Sequence, residues 1–285
     1  MTRYTKLNSQ GNDFILVENN TGTNDLSIDD IRHYSSRDVI GCDQFFIVNT
    51  SNKNNIFCDV YNQDGSKACQ CGNGLRATML FLNEKYSITK TNIIVCDVAY
   101  RAKINNKEIS VDMGQATYIN IKDEYTNPKY NIKQSGIVVT IENISTRMFF
   151  SFIPLSIGNK HCVVFSDYCI KHKDEISIVI DEIFNKQMNV GFISNAKDFI
   201  IDGKATIDLV VNERGAGYTD SCGSGATAAA ICMFKLYELE HECKVNTSCI
   251  SVKQKGGVLT VIKSYSPDRY ELVGPSAIEG EGNLE

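Results

Sequence analysis

Two cysteines in this sequence are each followed by a glycine, a polar residue and a second glycine. Cys71-Gly72-Asn73-Gly74 precedes the apolar, helix-forming segment 75–82, and Cys222-Gly223-Ser224-Gly225 precedes a second such segment at 225–237, about half the chain later. A helix that is apolar on most of its faces is a buried helix. The repeat therefore predicts two similar halves, each with a sheet around one central helix and a cysteine at the start of that helix.

The start of a helix suits such cysteines to acid–base chemistry on an anionic ligand. The first N–H groups have no partner within the helix and carry about +0.5 of an elementary charge, so they bind carboxylates. The same positive end lowers a thiol pKa from about 8.5 to between about 3.5 and 7.5. Two such ends sharing one carboxylate would place a thiol on either side of its α-carbon, as a two-base racemase requires. Two glycine-rich turns with buried cysteines remain the alternative.

Other polar residues could hold an amino acid. The neighbours Glu213 and Arg214 could bind an ammonium and a carboxylate, although an exposed turn pair is the commoner arrangement. Asparagines lie beside turn residues, where they usually satisfy local backbone, at Asn12, Asn62, Asn159 and Asn189. His161 follows a Gly-Asn-Lys turn. A loop histidine can act in acid–base catalysis, but a lone histidine is more often structural.

The eleven cysteines are many for a chain of this kind. A chain of 285 residues does not need disulfides to hold its core. A structural zinc site usually needs two close cysteine pairs, and Cys69-x-Cys71 is the sole close pair in the sequence. We therefore expect no metal site and expect most of the cysteines to lie in the core as small apolar residues.

The pattern of the remaining chain indicates an α+β fold, because many strands accompany each long helix. Alternation and β-branched content predict strands near 4–7, 14–17, 45–48, 56–61, 93–96, 137–142, 147–154, 162–165, 190–194, 206–212, 249–253, 258–263 and 269–273. Ser27 with Asp30 predicts a capped helix start, and a further helix is expected at 173–185. Asp112–Gln115 is a candidate break between the halves.

Composition excludes several classes of function. The net charge is −5 and the pI is near 5.5, so the chain has no broad basic field for nucleic acid. No apolar run approaches the roughly 18 residues needed to span a bilayer. The N-terminus lacks the apolar core of a signal peptide. We therefore expect a cytoplasmic protein with neither nucleic acid nor membrane as a partner.

The residues carry a resemblance to a known family. The matching segments are Gly11–Phe14, Gly41–Gln44, Tyr61–Ser66, Gln70–Arg76, Asp112–Gly114, Gly158–Cys162, Asn189–Phe192, Glu213–Gly217, Cys222–Ala226 and Gly274–Ala277. In this order, they make the chain resemble the diaminopimelate epimerase family over nearly its whole length. The resemblance makes a functional role for both cysteines the preferred interpretation.

That resemblance implies an enzyme and its architecture. It implies a cofactor-independent epimerase that interconverts LL- and meso-diaminopimelate, on the route to lysine and peptidoglycan. It also implies two pseudo-symmetric domains, each a mostly antiparallel sheet wrapped around a central helix, with the site in the cleft between them. We expect one domain to comprise residues 1–116 with the C-terminal strand 272–285, and the other residues 117–271. The expected partner is a small amino-acid substrate, and a homodimer stays open.

Residue roles follow from the same resemblance. Cys71 and Cys222 would be the acid–base pair, Glu213 would assist with the α-ammonium, and His161 would support the proton chemistry. The segments Gly72-Asn73-Gly74 and Gly223-Ser224 would hold the reacting carboxylate. Further substrate-binding residues, several at the distal end of the substrate, would be Asn12, Gln44, Asn62, Asn159, Asn189, Glu213 and Arg214.

Two alternatives remain. The first is the same chemistry on another amino acid, such as histidine, hydroxyproline or lanthionine, although Asn62, Asn189 and Arg214 favour a substrate with a distal carboxylate. The second is a non-enzymatic binding protein, or an isomerase of the phenazine-biosynthesis type. Proteins of that second class lack the cysteine pair, so the presence of both cysteines argues against it.

The chain departs from the family pattern at four places. Lys160 stands where proline is common, Asn8-Ser9 replaces a frequent His-Gly, and Cys42 replaces a small alanine. Cys69, two residues before Cys71, could be a resolving thiol, or alternation along an extended segment could put it in the core.

Overall fold

A strand-rich architecture is present in the computed structural model of the chain. The structure describes residues 2–20, 26–121, 125, 127–196, 200–201, 204–241, 248–264, 266 and 268–285. The chain divides into two units, the first formed by Met1–Asp112 with Glu271–Glu285 and the second by Met113–Tyr270.

Five helices and twenty-one strands lie in the described residues. The helices are α1 (Ile28–Ser35), α2 (Gly72–Tyr86), α3 (Asp167–Lys171), α4 (Lys173–Phe184) and α5 (Gly223–His241). The strands are β1 (Thr2–Ser9), β2 (Asn12–Glu18), β3 (Gln44–Asn49), β4 (Asn55–Asn62), β5 (Lys67–Ala68), β6 (Lys90–Val95), β7 (Val98–Asn105), β8 (Glu108–Gln115), β9 (Thr117–Tyr118), β10 (Tyr130–Ser135), β11 (Val138–Asn143), β12 (Phe149–Ile157), β13 (Asn159–Phe165), β14 (Asn189–Ile193), β15 (Ile200–Ile201), β16 (Lys204–Glu213), β17 (Gly217–Thr219), β18 (Cys249–Gln254), β19 (Gly257–Lys263), β20 (Arg269–Gly274) and β21 (Ala277–Leu284).

The first unit is built mainly from antiparallel pairs. The antiparallel pairs include β1–β2, β1–β21, β3–β4, β6–β7 and β7–β8. The exceptions are β2–β3 and β4–β6, which are parallel. A parallel pair needs a long crossover, and α1 and α2 supply these two connections.

The second unit repeats this plan. Most of its pairs are antiparallel, including β10–β11–β12–β13 and β14–β16. Its two parallel pairs are β13–β14, connected through α3 and α4, and β16–β18, connected through α5. The internal repeat predicted from the two cysteine segments is therefore present in the connectivity of the two units.

α2 and α5 are the central helices of their units. Strands β1, β2, β7 and β21 pack against α2, and β12, β13, β14, β16, β18 and β19 pack against α5. Every residue of α5 from Gly223 to Phe234 is buried, as is every residue of α2 from Gly72 to Met79. The predicted α+β class, with a mostly antiparallel sheet around a central helix in each half, is confirmed.

Several local predictions can be compared with the structure. Ser27 is the N-cap of α1 and forms a capping box with Asp30, as predicted. β7, β8 and β10 were not predicted, although β8 has the alternating buried apolar residues Ile109, Val111 and Met113 that are typical of a strand. In β7 the buried residues are Tyr100 and Ala102. The predicted break between the halves at Asp112–Gln115 contains the boundary of the two units, between Asp112 and Met113, and β8 continues through it.

Within the described part of the chain, every helix falls short of the length and apolar character that a membrane span requires.

Candidate functional site

Cys71 caps the N-terminus of α2 with its sulfur. Its backbone is extended, with φ −148° and ψ 96°, and its Sγ accepts the N–H of Gly74 at 3.2 Å. The carbonyl of Cys71 accepts the N–H of Leu75 at 2.9 Å. The thiol therefore lies at the positive end of a buried helix, where a thiolate is stabilised.

Glycine is needed three residues after each of the two cysteines. A Cβ on Gly74 would lie 2.1 Å from Cζ of Phe46, a fully buried ring that packs edge-on against Phe14 at 5.4 Å between centroids. A Cβ on Gly225 would lie 2.9 Å from Cγ2 of Val211 and 3.1 Å from Sγ of Cys222. Both glycines thus permit a close approach that any larger residue would prevent.

Asn12 is brought to the Cys71 end of α2. Its Oδ1 lies 3.9 Å from Cys71 Sγ and 3.5 Å from Nδ2 of Asn73. Its own Nδ2 donates to Oδ2 of Asp43 at 2.7 Å. Asp43 therefore fixes the orientation of the Asn12 amide and turns its oxygen toward the helix start.

A partly buried ion-pair network supports the turn that carries Asn12. Asp13 accepts two hydrogen bonds from Arg37, at 2.6 and 2.9 Å, and one from Lys6 at 2.6 Å. Arg37 also donates to Asp43 at 2.6 Å. Burial alone would raise the pKa of Asp13, but the hydrogen bonds from Arg37 and Lys6 outweigh it and lower that pKa to about 2.

Two further predicted binding residues form a separate pair in the same unit. Gln44 and Asn62 lie opposite one another on β3 and β4, and Gln44 Nε2 donates to Asn62 Oδ1 at 3.0 Å. Asn62 also donates to Ser66 Oγ at 3.0 Å. The strand register and the turn after β4 therefore hold both amides in place.

Ser9 links the Asn73 segment to the connection between β20 and β21. Its hydroxyl donates to the carbonyl of Asn73 at 3.0 Å and lies 2.6 Å from Oγ of Ser276. The Asn8-Ser9 departure noted in the sequence thus provides a hydroxyl that anchors the first turn of α2.

Cys69 forms a disulfide with Cys96, with a Cα–Cα distance of 5.3 Å. The expectation that Cys69 would be a resolving thiol or a core residue is therefore wrong. Both cysteines are exposed. The parallel pairing of β4 with β6 brings the turn after β6 to the segment before Cys71, and nothing in the local sequence signals that contact. Most of the remaining described cysteines are buried, as expected.

Cys222 occupies in the second unit the position that Cys71 has in the first. Its Sγ accepts the N–H of Gly225 at 3.3 Å, and its carbonyl accepts the N–H of Ala226 at 2.9 Å. Gln254 holds its backbone on both sides, accepting from the Cys222 N–H at 2.9 Å and donating to its carbonyl at 3.4 Å. Burial, followed by the nearby Glu213 carboxylate, raises the pKa of the Cys222 thiol well above its ordinary value.

His161 reaches Cys222 through a serine. Its Nε2 lies 3.1 Å from Oγ of Ser224, and that oxygen lies 3.7 Å from Cys222 Sγ. Burial lowers the pKa of His161 to about 3, so the imidazole is neutral at pH 7. The geometry suits a neutral ring that orients the Ser224 hydroxyl beside the sulfur.

The other predicted residues of the second unit gather at one end of its strands. His161 and Asn189 are partners in the parallel β13–β14 register, and Asn189 Oδ1 accepts the backbone N–H of Arg214 at 2.8 Å. Thr219 Oγ1 donates to the Glu213 carboxylate. Glu213 and Arg214 line a recess of about 240 Å³. Asn159 starts β13, opposite Ile157.

Sequence reasoning missed several residues that position these groups. Asp43, Arg37 and Gln254 each contact a residue of the site region that lies 24 to 32 positions away in sequence. Asp43 lies inside the matching segment Gly41–Gln44, which is a signal that could have found it. Gln254 has no comparable signal in the sequence.

Comparisons with known proteins agree with the sequence resemblance. A family model described as diaminopimelate epimerase matches residues 4–119 and 154–268. A diaminopimelate epimerase from Wigglesworthia glossinidia brevipalpis is 32% identical over 255 residues, covering 86% of this chain and 88% of that protein. One from Legionella pneumophila (strain Lens) is 29% identical over 299 residues, covering 99% and 98%.

A solved structure shows the same fold. A hydroxyproline epimerase from Agrobacterium vitis, with bound trans-4-hydroxy-L-proline, superposes with a TM-score of 0.64. The alignment covers 99% of this chain and 91% of that one, at 9% identity. Identity this low supports a common fold and carries no information on the substrate of this chain.

Proposed function

Because the chain belongs to the diaminopimelate epimerase family, and is therefore an isomerase of the epimerase class, we propose that it interconverts LL- and meso-2,6-diaminopimelate. In this proposal Cys71 and Cys222 are the two acid–base groups, and no cofactor takes part. The supporting observation is that each sulfur caps a buried helix and accepts the N–H of the third residue after it. The product would serve lysine and peptidoglycan synthesis.

The proposed step moves two protons. One cysteine enters as a thiolate and takes the α-proton, so that the C–H bond breaks, an S–H bond forms, and the electron pair spreads into the α-carboxylate. The other cysteine enters as a thiol and protonates the opposite face of the carbon, and its S–H electron pair remains on sulfur. The configuration inverts, and the two cysteines finish with their protonation states exchanged.

The helix ends would stabilise the charge that develops on the carboxylate. The Gly72-Asn73-Gly74 and Gly223-Ser224 segments lie in the first turns of α2 and α5, where backbone N–H groups have no carbonyl partner four residues earlier in the helix and carry partial positive charge. Preorganised donors of this kind stabilise an oxyanion because they need no reorganisation during the reaction. The same groups would hold the carboxylate before the reaction begins.

The protonation states before the first step would be unequal. Burial and the Glu213 carboxylate raise the pKa of the Cys222 thiol, so Cys222 would enter as the acid. Cys71, which is partly exposed at its helix end, would enter as the base. Glu213 would also attract the substrate α-ammonium, and the neutral His161 would orient Ser224.

The distal end of the substrate would be bound by amides and an arginine. Gln44 with Asn62 in one unit, and Asn189 with Arg214 in the other, are held by hydrogen bonds. Arg214 is exposed and could pair with a distal carboxylate. Binding energy at this end would fix which stereocentre reacts.

Deuterium exchange tests both the reaction and the residues. The chain is incubated in D₂O with LL-diaminopimelate, hydroxyproline, histidine or lanthionine, and deuterium at the α-carbon is followed by NMR. We expect deuterium exchange with diaminopimelate. The rate of epimerisation should fall by at least about 10²-fold in Cys71→Ala and in Cys222→Ala, since general acid–base groups contribute factors of this size. Buried cysteines provide matched controls, so Cys42→Ala and Cys232→Ala should retain the activity.

Two results would overturn the proposal. Near-normal epimerisation by either Cys71→Ala or Cys222→Ala would exclude the two-base mechanism. Exchange with another amino acid of the panel, without exchange on diaminopimelate, would instead assign the chain to a different epimerase activity.

A further inference from the structure

Arg76 is a buried cation in the second turn of α2. Its side chain is 0% exposed, and Nε, Nη1 and Nη2 have no hydrogen-bond partner among the described residues. Burial lowers the pKa of Arg76 only to about 10, so the guanidinium is charged at neutral pH. A buried charge is costly unless an opposite charge lies near it. The position of Arg76 therefore calls for a counter-charge within the first unit.

Cys71 is the group placed to provide that charge. Arg76 follows this N-cap by five residues, about 7.5 Å along the helix axis. Helix side chains lean toward the N-terminus, so a long arginine side chain reaches back toward the cap. The Cys71 sulfur itself folds over the helix end, 3.2 Å from the Gly74 nitrogen. Against the lowering by burial, negative charge on Cys71 raises the pKa of Arg76, so the two groups interact electrostatically.

Most charged groups on the strands around α2 form ion pairs with residues other than Arg76. Lys6 of β1 pairs with Asp13 of β2, Lys103 of β7 pairs with Glu271, and Glu281 of β21 pairs with Arg3. Lys85, near the end of α2, pairs with Glu18.

Four other titratable groups lie on elements near this end. Glu279 of β21 and Arg101 of β7 are exposed, and the Tyr100 hydroxyl donates to the carbonyl of Cys69 at 3.4 Å. Cys58 of β4 also interacts with Cys71, but burial raises the pKa of this thiol, so it stays neutral. Among the ion pairs of the described residues, none brings a carboxylate to Arg76.

The second unit shows what the same position looks like without a cation. Thr227 follows Cys222 by five residues, as Arg76 follows Cys71. Thr227 is also 0% exposed, and its hydroxyl donates to the carbonyl of Gly223 at 2.9 Å. That side chain is neutral and satisfied locally, so it exerts no net charge on Cys222. The arginine is therefore a feature of the Cys71 helix alone and not a requirement of the helix start.

We infer that Arg76 is a positioning residue that supplies the buried counter-charge of the Cys71 thiolate, and that it thereby makes Cys71, not Cys222, the cysteine that is ionised before substrate binds. Arg76 is too deeply buried to touch a substrate, so its effect is exerted through the sulfur. The positive helix end and the guanidinium act on Cys71 together, while Cys222 has the helix end alone and faces the Glu213 carboxylate.

The test compares the pH dependence of Cys71 alkylation in Arg76 variants. Iodoacetamide labelling of the Cys71 peptide is followed by mass spectrometry from pH 5 to 10. In Arg76→Met we expect the midpoint to rise by about one pH unit, a tenfold smaller ionisation constant of the thiol, because an opposite charge nearby favours ionisation. Arg76→Lys keeps the charge and should restore part of the shift. Arg101→Met, an exposed arginine of the same unit, is the matched control and should change nothing.

A second readout separates this role from a structural one. In Arg76→Met the acidic limb of the pH profile of kcat/KM for epimerisation should move to higher pH while KM stays unchanged. This measurement rests on the proposed function, whereas the alkylation measurement does not. Folding should survive, because Cys71 can take up a proton when the guanidinium is removed, so that no unpaired charge is left buried. Arg76→Gln serves as the neutral variant if the methionine variant does not fold. An unshifted alkylation midpoint in a folded neutral variant overturns the inference, whatever the activity.

Discussion

Cys71 and Cys222 have the same backbone geometry in different surroundings. Each sulfur accepts the N–H of the third residue after it, at 3.2 and 3.3 Å, and each carbonyl accepts the N–H of the fourth residue after it at 2.9 Å. Cys71 is partly exposed and has the buried Arg76 on its helix. Cys222 is 4% exposed and lies beside the Glu213 carboxylate.

The comparison separates two properties that the surroundings of each cysteine determine, the position of its sulfur and the charge on it. The Cys-Gly-x-Gly segment positions the sulfur, and it does so equally in both units. The side chains outside the segment set the charge, and they differ in sign: a cation acts on Cys71 and a carboxylate on Cys222. The proposed reaction needs one thiolate and one thiol at the same time, and this difference would decide which of the two cysteines loses its proton first.

The largest effect that we expect is on stability, and it comes from the disulfide in the segment that precedes Cys71. The Cys69–Cys96 disulfide closes a loop with a sequence separation of 27 residues. Loops of this size contribute about 3 kcal/mol to the free energy of unfolding. Dithiothreitol should therefore lower the urea midpoint of the wild type, and Cys96→Ser should lower it by the same amount.

The control for this prediction is the response of the variant to reductant. Cys96→Ser should be insensitive to dithiothreitol, since the described residues contain no second disulfide. A reductant effect that persists in the variant, or a wild type that shows none, would contradict the stabilising role of this disulfide.

The disulfide also marks the limit of what the sequence could predict. The two Cys-Gly segments, the apolar helices after them and the Ser27 cap were predictable, because each depends on residues within about two turns of one another. The contacts of Cys96, Asp43 and Gln254 were not, because strand pairing brings them to the site from distant segments. The burial of Arg76 was also not predictable, because an arginine within an apolar helix is normally expected to face solvent.

The two units should also differ in how acid affects them. The His161 pKa falls from 6.5 to about 3 on folding, because burial disfavours the charged ring. The contribution of the neutral ring is fully present above pH 6.5 and is lost as the pH falls toward 3, since the unfolded state takes up the proton first. At pH 5 we expect a loss of about 2 kcal/mol relative to pH 7. His161→Gln should remove this part of the pH dependence, measured by urea unfolding.

Asp13 in the first unit provides the contrast. Its pKa is lowered from 3.8 to about 2, so its contribution is present above pH 3.8 and is lost as the pH falls through 2. Asp13→Asn should therefore leave the slope between pH 5 and 7 unchanged. Should His161→Gln retain the wild-type slope in that range, the neutral buried ring would not be the cause of the acid sensitivity.

The smallest effect concerns the reactivity of the two thiols themselves. At pH 7 iodoacetamide should label Cys71 at least about tenfold faster than Cys222, because the thiolate is the reactive form and exposure limits access. Cys222 is buried, and burial together with the Glu213 carboxylate raises its pKa. The rates, read from the two peptides by mass spectrometry, should converge in guanidinium chloride, where the surroundings are lost. Glu213→Gln should raise the Cys222 rate while leaving the Cys71 rate unchanged. Equal labelling of the two cysteines in the folded protein would mean that their surroundings do not set their charge. It would contradict the claim that Arg76 and Glu213 make the two thiols ionise differently.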